Sequence, residues 1–107
     1  MLVTTANEVA GLAITEHMGI VRGIVVRSPN IAQGFLGSLK QIVGGNISIY
    51  TNLCEQARRD SYELMIQHAV QLGANALISV RYDATEVGPG VTEVLAYGTA
   101  VQVEPAA

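Results

Sequence analysis

Charge is what this chain has least of. Only 14% of its 107 residues are Asp, Glu, Lys or Arg, against roughly 25% in an average soluble protein. Aromatic residues make up 5%, tryptophan is absent, and Cys54 is the single cysteine. Each shortage excludes something. The six basic residues are scattered at Arg22, Arg27, Lys40, Arg58, Arg59 and Arg81, and the net charge is −3. A nucleic-acid footprint needs clustered Lys and Arg, so nucleic acid is not an expected partner. One cysteine cannot close an internal disulfide, which is compatible with a reducing cytosol. No apolar run approaches the roughly 20 residues that span a bilayer. The start, Met1-Leu2-Val3-Thr4-Thr5, has no basic stretch leading into an apolar segment, so no signal peptide is expected and no membrane association either. The expected location is the cytoplasm.

What the chain has instead is apolar surface. Half of its residues are hydrophobic, and a chain this short builds one domain, residues 1–107, with a modest core. A small domain with few charges cannot coat itself in polar groups. Without a membrane segment, the remaining outlet is burial against copies of itself.

Alternation marks the first strand, from Leu12 to Arg27. Ile24-Val25-Val26 is apolar at both parities, which predicts burial on both faces there. Gly19 and Gly23 predict a bend or bulge in one long strand, or a junction of two. Ser28-Pro29-Asn30 ends the strand, and Asn30 can cap a helix that starts after it. Ile31, Phe35, Leu36, Leu39, Ile42 and Val43 recur at helical spacing and predict a short helix, broken at Gly44-Gly45. A longer helix is expected from Ile47 to Leu72, with Gly73 as its terminating glycine and Glu55 four residues before Arg59 as a supporting pair. Its apolar residues, among them Tyr50, Leu53, Cys54, Ala57, Leu64 and Met65, with Tyr62, Ile66, Ala69 and Val70, form a stripe too wide for one packing partner. Ala74–Asp83 alternates as a strand, Gly88-Pro89-Gly90 turns, and a partner strand runs from Val91 to Val103. In that strand Val94, Ala96, Gly98 and Ala100 form a small-residue face that a helix can approach closely. The order predicts an α+β fold: a two-layer β-α-β-β sandwich with a small, mostly antiparallel, three-stranded sheet on a long helix. The bulky face of the hairpin (Tyr97, Thr99, Val101, Val103) and the second helix stripe (Tyr62, Ile66) are the expected oligomer interface.

The blocks Val26-Arg27-Ser28-Pro29-Asn30, Ile42-Val43-Gly44-Gly45, Ala57-Arg58, Leu72-Gly73-Ala74-Asn75-Ala76 and Ala96-Tyr97-Gly98-Thr99-Ala100-Val101, with Tyr50 between them, resemble the YbjQ-like family over nearly the whole chain. The resemblance implies a dodecin-like subunit in a ring, a homopentamer, under a heavy-metal-binding label. The chain departs from the family pattern at Asn46, where a Glu is common, at Gln33-Gly34, commonly Arg-Asp, and at Asn75, commonly Asp. Those changes remove charges, including carboxylates that a cation would use.

Candidate chemistry is sparse. Soft metals take several thiolate or imidazole ligands at short spacings, and the only candidates are His17, Cys54 and His68, each isolated. Cys54 falls on the apolar helix stripe and reads as a small core residue. His68 is about four turns further along the same helix, so one subunit cannot bring both to one ion. His17 follows Glu16 on a strand, where neighbours face opposite ways, and reads as a surface or interface residue. No G-x-S-x-G is present, and Asp60 and Glu63 read as a solvated face, so no catalytic residue and no cofactor site is evident. Val43-Gly44-Gly45-Asn46 before a helix lacks the Lys of a P-loop. Tyr82–Val91 reads as a polar loop in which Arg81 and Asp83 share a side and can pair. The expected function is a non-enzymatic, ring-forming homo-oligomer that binds a small ligand or cation between subunits. The alternatives are a metal-sequestering protein with ligands from several subunits, and an enzyme whose site forms only at the interface.

Overall fold

The fold is built on very long elements. A computed structural model describes residues 1–27 and 47–107, apart from the side chains of 47–50. The expected Ile31–Val43 helix, its Asn30 cap and the Gly44-Gly45 turn lie outside the described residues. Strand β1 is Leu2–Val3, β2 is Leu12–Arg27, helix α1 is Ile47–Leu72, β3 is Ala76–Gly88 and β4 is Val91–Pro105. They form an α+β arrangement in which the helix covers one face of a four-stranded mixed sheet, ordered β1-β3-β4-β2. The expected three strands are β2, β3 and β4. The fourth, β1, pairs in parallel with β3 through Leu2–Ala76 and Val3–Leu77; two residues are too few to show alternation.

Strand β2 runs unbroken over the predicted range, antiparallel to β4, with register shifts at Ile14/Glu16 and His17/Gly19. The second is the expected bulge, where Gly19 holds φ at 110°. Gly23 is different. Its pairing with Ala96 is regular, and its lack of a side chain serves contact with the helix: a Cβ there would lie 1.9 Å from the Ser61 carbonyl oxygen and 2.6 Å from the Met65 nitrogen.

Val21, Val25, Leu77, Val80, Val94, Ala96 and Ala100 face α1 and are buried, against Ala57, Ser61, Met65 and Ala69 of the helix. The small-residue face predicted for β4 thus meets the helix. Ser61, fully buried, satisfies its hydroxyl by donating to the Arg58 carbonyl at 2.9 Å. Gly73, at φ 83°, ends the helix, and the Gln102 side-chain amide donates to its carbonyl.

On the opposite face a smaller core joins Ala76, Ile78 and Val101 with Val9, Ile14 and Val103. It exists because Val9, between β1 and β2, packs on that face; the preceding residues are tied to the edge of β3, where Ser79 and Val80 amides donate to the carbonyls of Ala6 and Thr4. Ser79 sits in the left-handed region at φ 55°, where β3 shifts register, and its hydroxyl donates to Asn7 Oδ1 at 2.6 Å. Arg81 donates to the Thr5 carbonyl at 2.9 Å and to the Val80 carbonyl. The expected Arg81–Asp83 pair therefore does not form, because the guanidinium is committed to the N-terminal segment.

Asn75 explains one departure from the family pattern. Its amide donates to the Val103 carbonyl at 3.0 Å and accepts from the Val103 N–H at 2.8 Å, acting as one more peptide group on β4. A carboxylate can accept there but cannot donate. Asn75→Asp is expected to cost about 1 kcal/mol, read as a lower midpoint in urea with an unchanged slope.

Candidate functional site

The helix runs along much of the length of the sheet it covers. Twenty-six residues make about 39 Å of helix, and the first turns pass alongside the β3–β4 hairpin. Strand β3 continues through Asp83, Thr85 and Glu86 to Gly88, pairing with Leu95, Glu93 and Thr92 of β4. The expected polar loop at 82–91 is thus a strand with a turn only at Pro89-Gly90. Pairing with β4 continues to Gly88, with a register shift at Val87, which has no partner across the ribbon.

Where α1 meets this hairpin, Glu55, Arg58, Arg59, Tyr62 and Tyr82 line a cleft of about 330 Å³. The helical residues reach it because positions three and four apart share a face. Tyr82 follows Val80 on the helix-facing side of β3. The Arg58 guanidinium lies over the Tyr82 ring, 5.4 Å from its centroid, a cation–π arrangement. Burial pushes the Tyr82 phenol above its ordinary pKa, with Tyr62 and Glu55 adding to the rise and the Arg58 charge opposing it. The folded state therefore holds this proton more tightly than the unfolded chain does. Any stability linked to it is present below about pH 10 and is lost as pH rises through the folded value. Spectrophotometric titration is expected to show one phenol ionising late, absent from Tyr82→Phe and later still in Arg58→Gln; an unshifted titration would contradict the arrangement. The expected Glu55–Arg59 pair is not closed. The one ion pair among the described residues joins Arg27 Nη2 to Asp60 Oδ2 at 2.6 Å, at the end of β2.

The candidate metal ligands stay apart. Cys54 is exposed, correcting the expected core position. It shares an angular stripe with Ser61 and Met65, which are buried, but is not itself covered. His17 is exposed on β2. His68, on α1, accepts the Arg22 backbone N–H through Nδ1 at 3.2 Å, capping the free edge of β2. No group of three His, Cys, Asp or Glu comes together among the described residues. Within one subunit this donor set does not fit a heavy-metal site, which takes about four ligands.

The expected interface residues divide. Val101 is fully enclosed, and Val103 packs against the same small core. Tyr62 and Ile66 pack partly against the main core. Tyr97 stays 37% exposed, with Arg22 and Arg81 as its neighbours in register on β2 and β4's other flank, β3. Around it, Ile20 is 76% and Val26 45% exposed, and Ile24 also lies open. The predicted two-sided burial of Ile24-Val25-Val26 is thus corrected within the subunit: only Val25 is covered. Leu64, Val70 and Leu72 of α1 are exposed as well. Composition gave the surplus of apolar surface, but not Ile20 as its centre. No described helix is long and apolar enough to cross a membrane.

A family model described as "putative heavy-metal-binding" matches residues 1–104. A UPF0145 protein of Solibacter usitatus is 64% identical, over 97% of this chain and 93% of its own length. A UPF0145 protein of Chromobacterium violaceum is 56% identical, over 99% and 91%, and one of Legionella pneumophila 55%, over 94% and 96%. Among solved structures, a protein of unknown function from Pediococcus pentosaceus, placed in the DUF74 family, superposes with a TM-score of 0.63 at 20% identity. That match covers 97% of this chain and 98% of the other, and it speaks for the fold.

Proposed function

The chain belongs to the YbjQ-like family, and from that premise we propose that it is a non-enzymatic, cytoplasmic building block that self-associates through the open face of its sheet. The observation that carries this reading is Ile20, 76% exposed beside Tyr97, Ile24 and Val26 on one face. Burying that face would remove apolar surface from water at about 25 cal/mol per Å². A second copy is the occupant best suited to a chain so poor in charge. The family resemblance favours closure into a dodecin-like ring of five. Light scattering of the untagged protein at micromolar concentration tests the reading; a monomer there would sink it.

The family's description favours a second reading, heavy-metal binding with ligands shared between copies. His17, exposed on β2, and Cys54, exposed on α1, are free to meet residues of another copy, whereas His68 has one ring nitrogen already engaged. Elemental analysis of the assembled protein decides it: copper or zinc at a fixed ratio to the chain supports shared ligation. Metal-free protein whose melting is unmoved by either ion removes it.

A further inference from the structure

The cleft between α1 and the β3–β4 hairpin holds charge that the protein leaves unused. Arg58 and Arg59 both line it. Every Asp and Glu of the chain lies among the described residues, and the one ion pair there is Arg27–Asp60. Both guanidiniums are therefore without a carboxylate partner. Glu55 shares the cleft with them and leaves it with a net positive charge, in a protein whose overall charge is −3.

The cation–π contact with Tyr82, 5.4 Å from guanidinium to ring centroid, uses none of the Arg58 N–H donors. Neither the Tyr62 nor the Tyr82 hydroxyl has a hydrogen-bond partner among the described residues. Two arginines and two tyrosines thus line one cleft without a hydrogen-bond partner for their side chains among the described residues. A volume of about 330 Å³ is at the small end of the range for small-molecule sites, about 300–1,000 Å³. That is room for a tetrahedral oxyanion and a short organic group.

We propose that this cleft is a binding site for a phosphate group, borne by a small molecule or free, held by Arg58 and Arg59 with Tyr62 and Tyr82 as additional donors. A tetrahedral phosphate uses more of these donors than a single carboxylate can, and its charge is opposite in sign to the net positive charge of the cleft. Glu55 opposes a bare anion and sets an upper limit on the charge the cleft accepts. The site lies wholly within one subunit. It neither requires self-association nor is required by it, so the two readings fail separately.

The test is a titration of the full-length protein with inorganic phosphate and, separately, with phenyl phosphate, followed by backbone and arginine side-chain NMR shifts, with chloride at equal ionic strength as the control. Saturable shifts confined to residues 55–62 and the neighbourhood of Tyr82 are expected with at least one of the two. The loss of a charge-assisted bond in Arg58→Gln or Arg59→Gln should weaken that binding by about tenfold or more. Glu55→Gln should tighten it, and because the residue is exposed on the helix this variant keeps the fold. Shifts no different from those given by chloride would overturn the proposal. So would a folded Arg58→Gln, Arg59→Gln double variant that binds as the parent does.

Discussion

Gly23→Ala is expected to dislodge the helix from the sheet. The added Cβ would sit 1.9 Å from the Ser61 carbonyl oxygen, 2.6 Å from the Met65 nitrogen and 2.8 Å from the Leu64 Cβ. Two of those three are backbone atoms of α1, so no rotamer change relieves the contact; the helix or the strand must move by more than an ångström. Overpacking typically costs about 1–3 kcal/mol, occasionally more, and a backbone collision at the centre of the main core belongs at the top of that range. For a domain of this size each 1 kcal/mol is worth roughly 4–8 °C, so a loss of about 3 kcal/mol lowers the melting temperature by something over 12 °C. Gly88→Ala is the control. Its Cβ would meet Val91 at 3.8 Å, an ordinary contact, and its φ is not in the left-handed region; its melting point should stay within a few degrees of the parent's. Equal melting of both variants would mean that α1 does not cross β2 at Gly23.

The second large effect is on assembly. Ile20→Asp combined with Tyr97→Asp places two carboxylates on the face proposed to be covered by another copy. Burying even one unpaired charge costs several kcal/mol, and 1.4 kcal/mol is tenfold in a dissociation constant, so each contact should weaken by roughly 100-fold or more. The readout is a shift to monomer by sedimentation or light scattering with the far-ultraviolet circular dichroism kept, since Ile20 and Tyr97 are already open to solvent within the subunit. An unchanged assembly would assign the interface elsewhere, with α1, where Leu64, Val70 and Leu72 are exposed, the next element to test. Val101, although on the same side of β4, is unsuitable for this experiment. It is fully buried against Ala76 and Ile78 beneath the N-terminal segment, and a charge there would unfold the subunit before it reported on any contact between subunits.

The contrast between Tyr97 and Val101 shows how far strand parity reaches. Alternation places both on one face of β4, and the structure keeps them there. What parity does not contain is the N-terminal segment, which is tied to the edge of β3 through the carbonyls of Thr4 and Ala6, packs Val9 on that face and so divides it into a covered part and an open one. The same limit applies to Cys54. Helical periodicity gives it the angle of Ser61 and Met65 but not whether another element covers that turn. The Arg58–Tyr82 cleft was out of reach for a related reason: its walls are far apart in the chain, and nothing local pairs a helical arginine with a tyrosine on a later strand.

By itself the sequence determined the fold class, the limits of β2 and α1, the small face of β4 and the surplus of apolar residues, because periodicity, glycine stops and composition are local or additive properties of the chain. Only the tertiary structure decided which part of the sheet stays open, why Gly23 must lack a side chain, why Asn75 is an amide, and that Arg58 and Arg59 share a cleft with two tyrosines. Each of these depends on which distant segments meet and at what separation, information that a one-dimensional pattern does not carry.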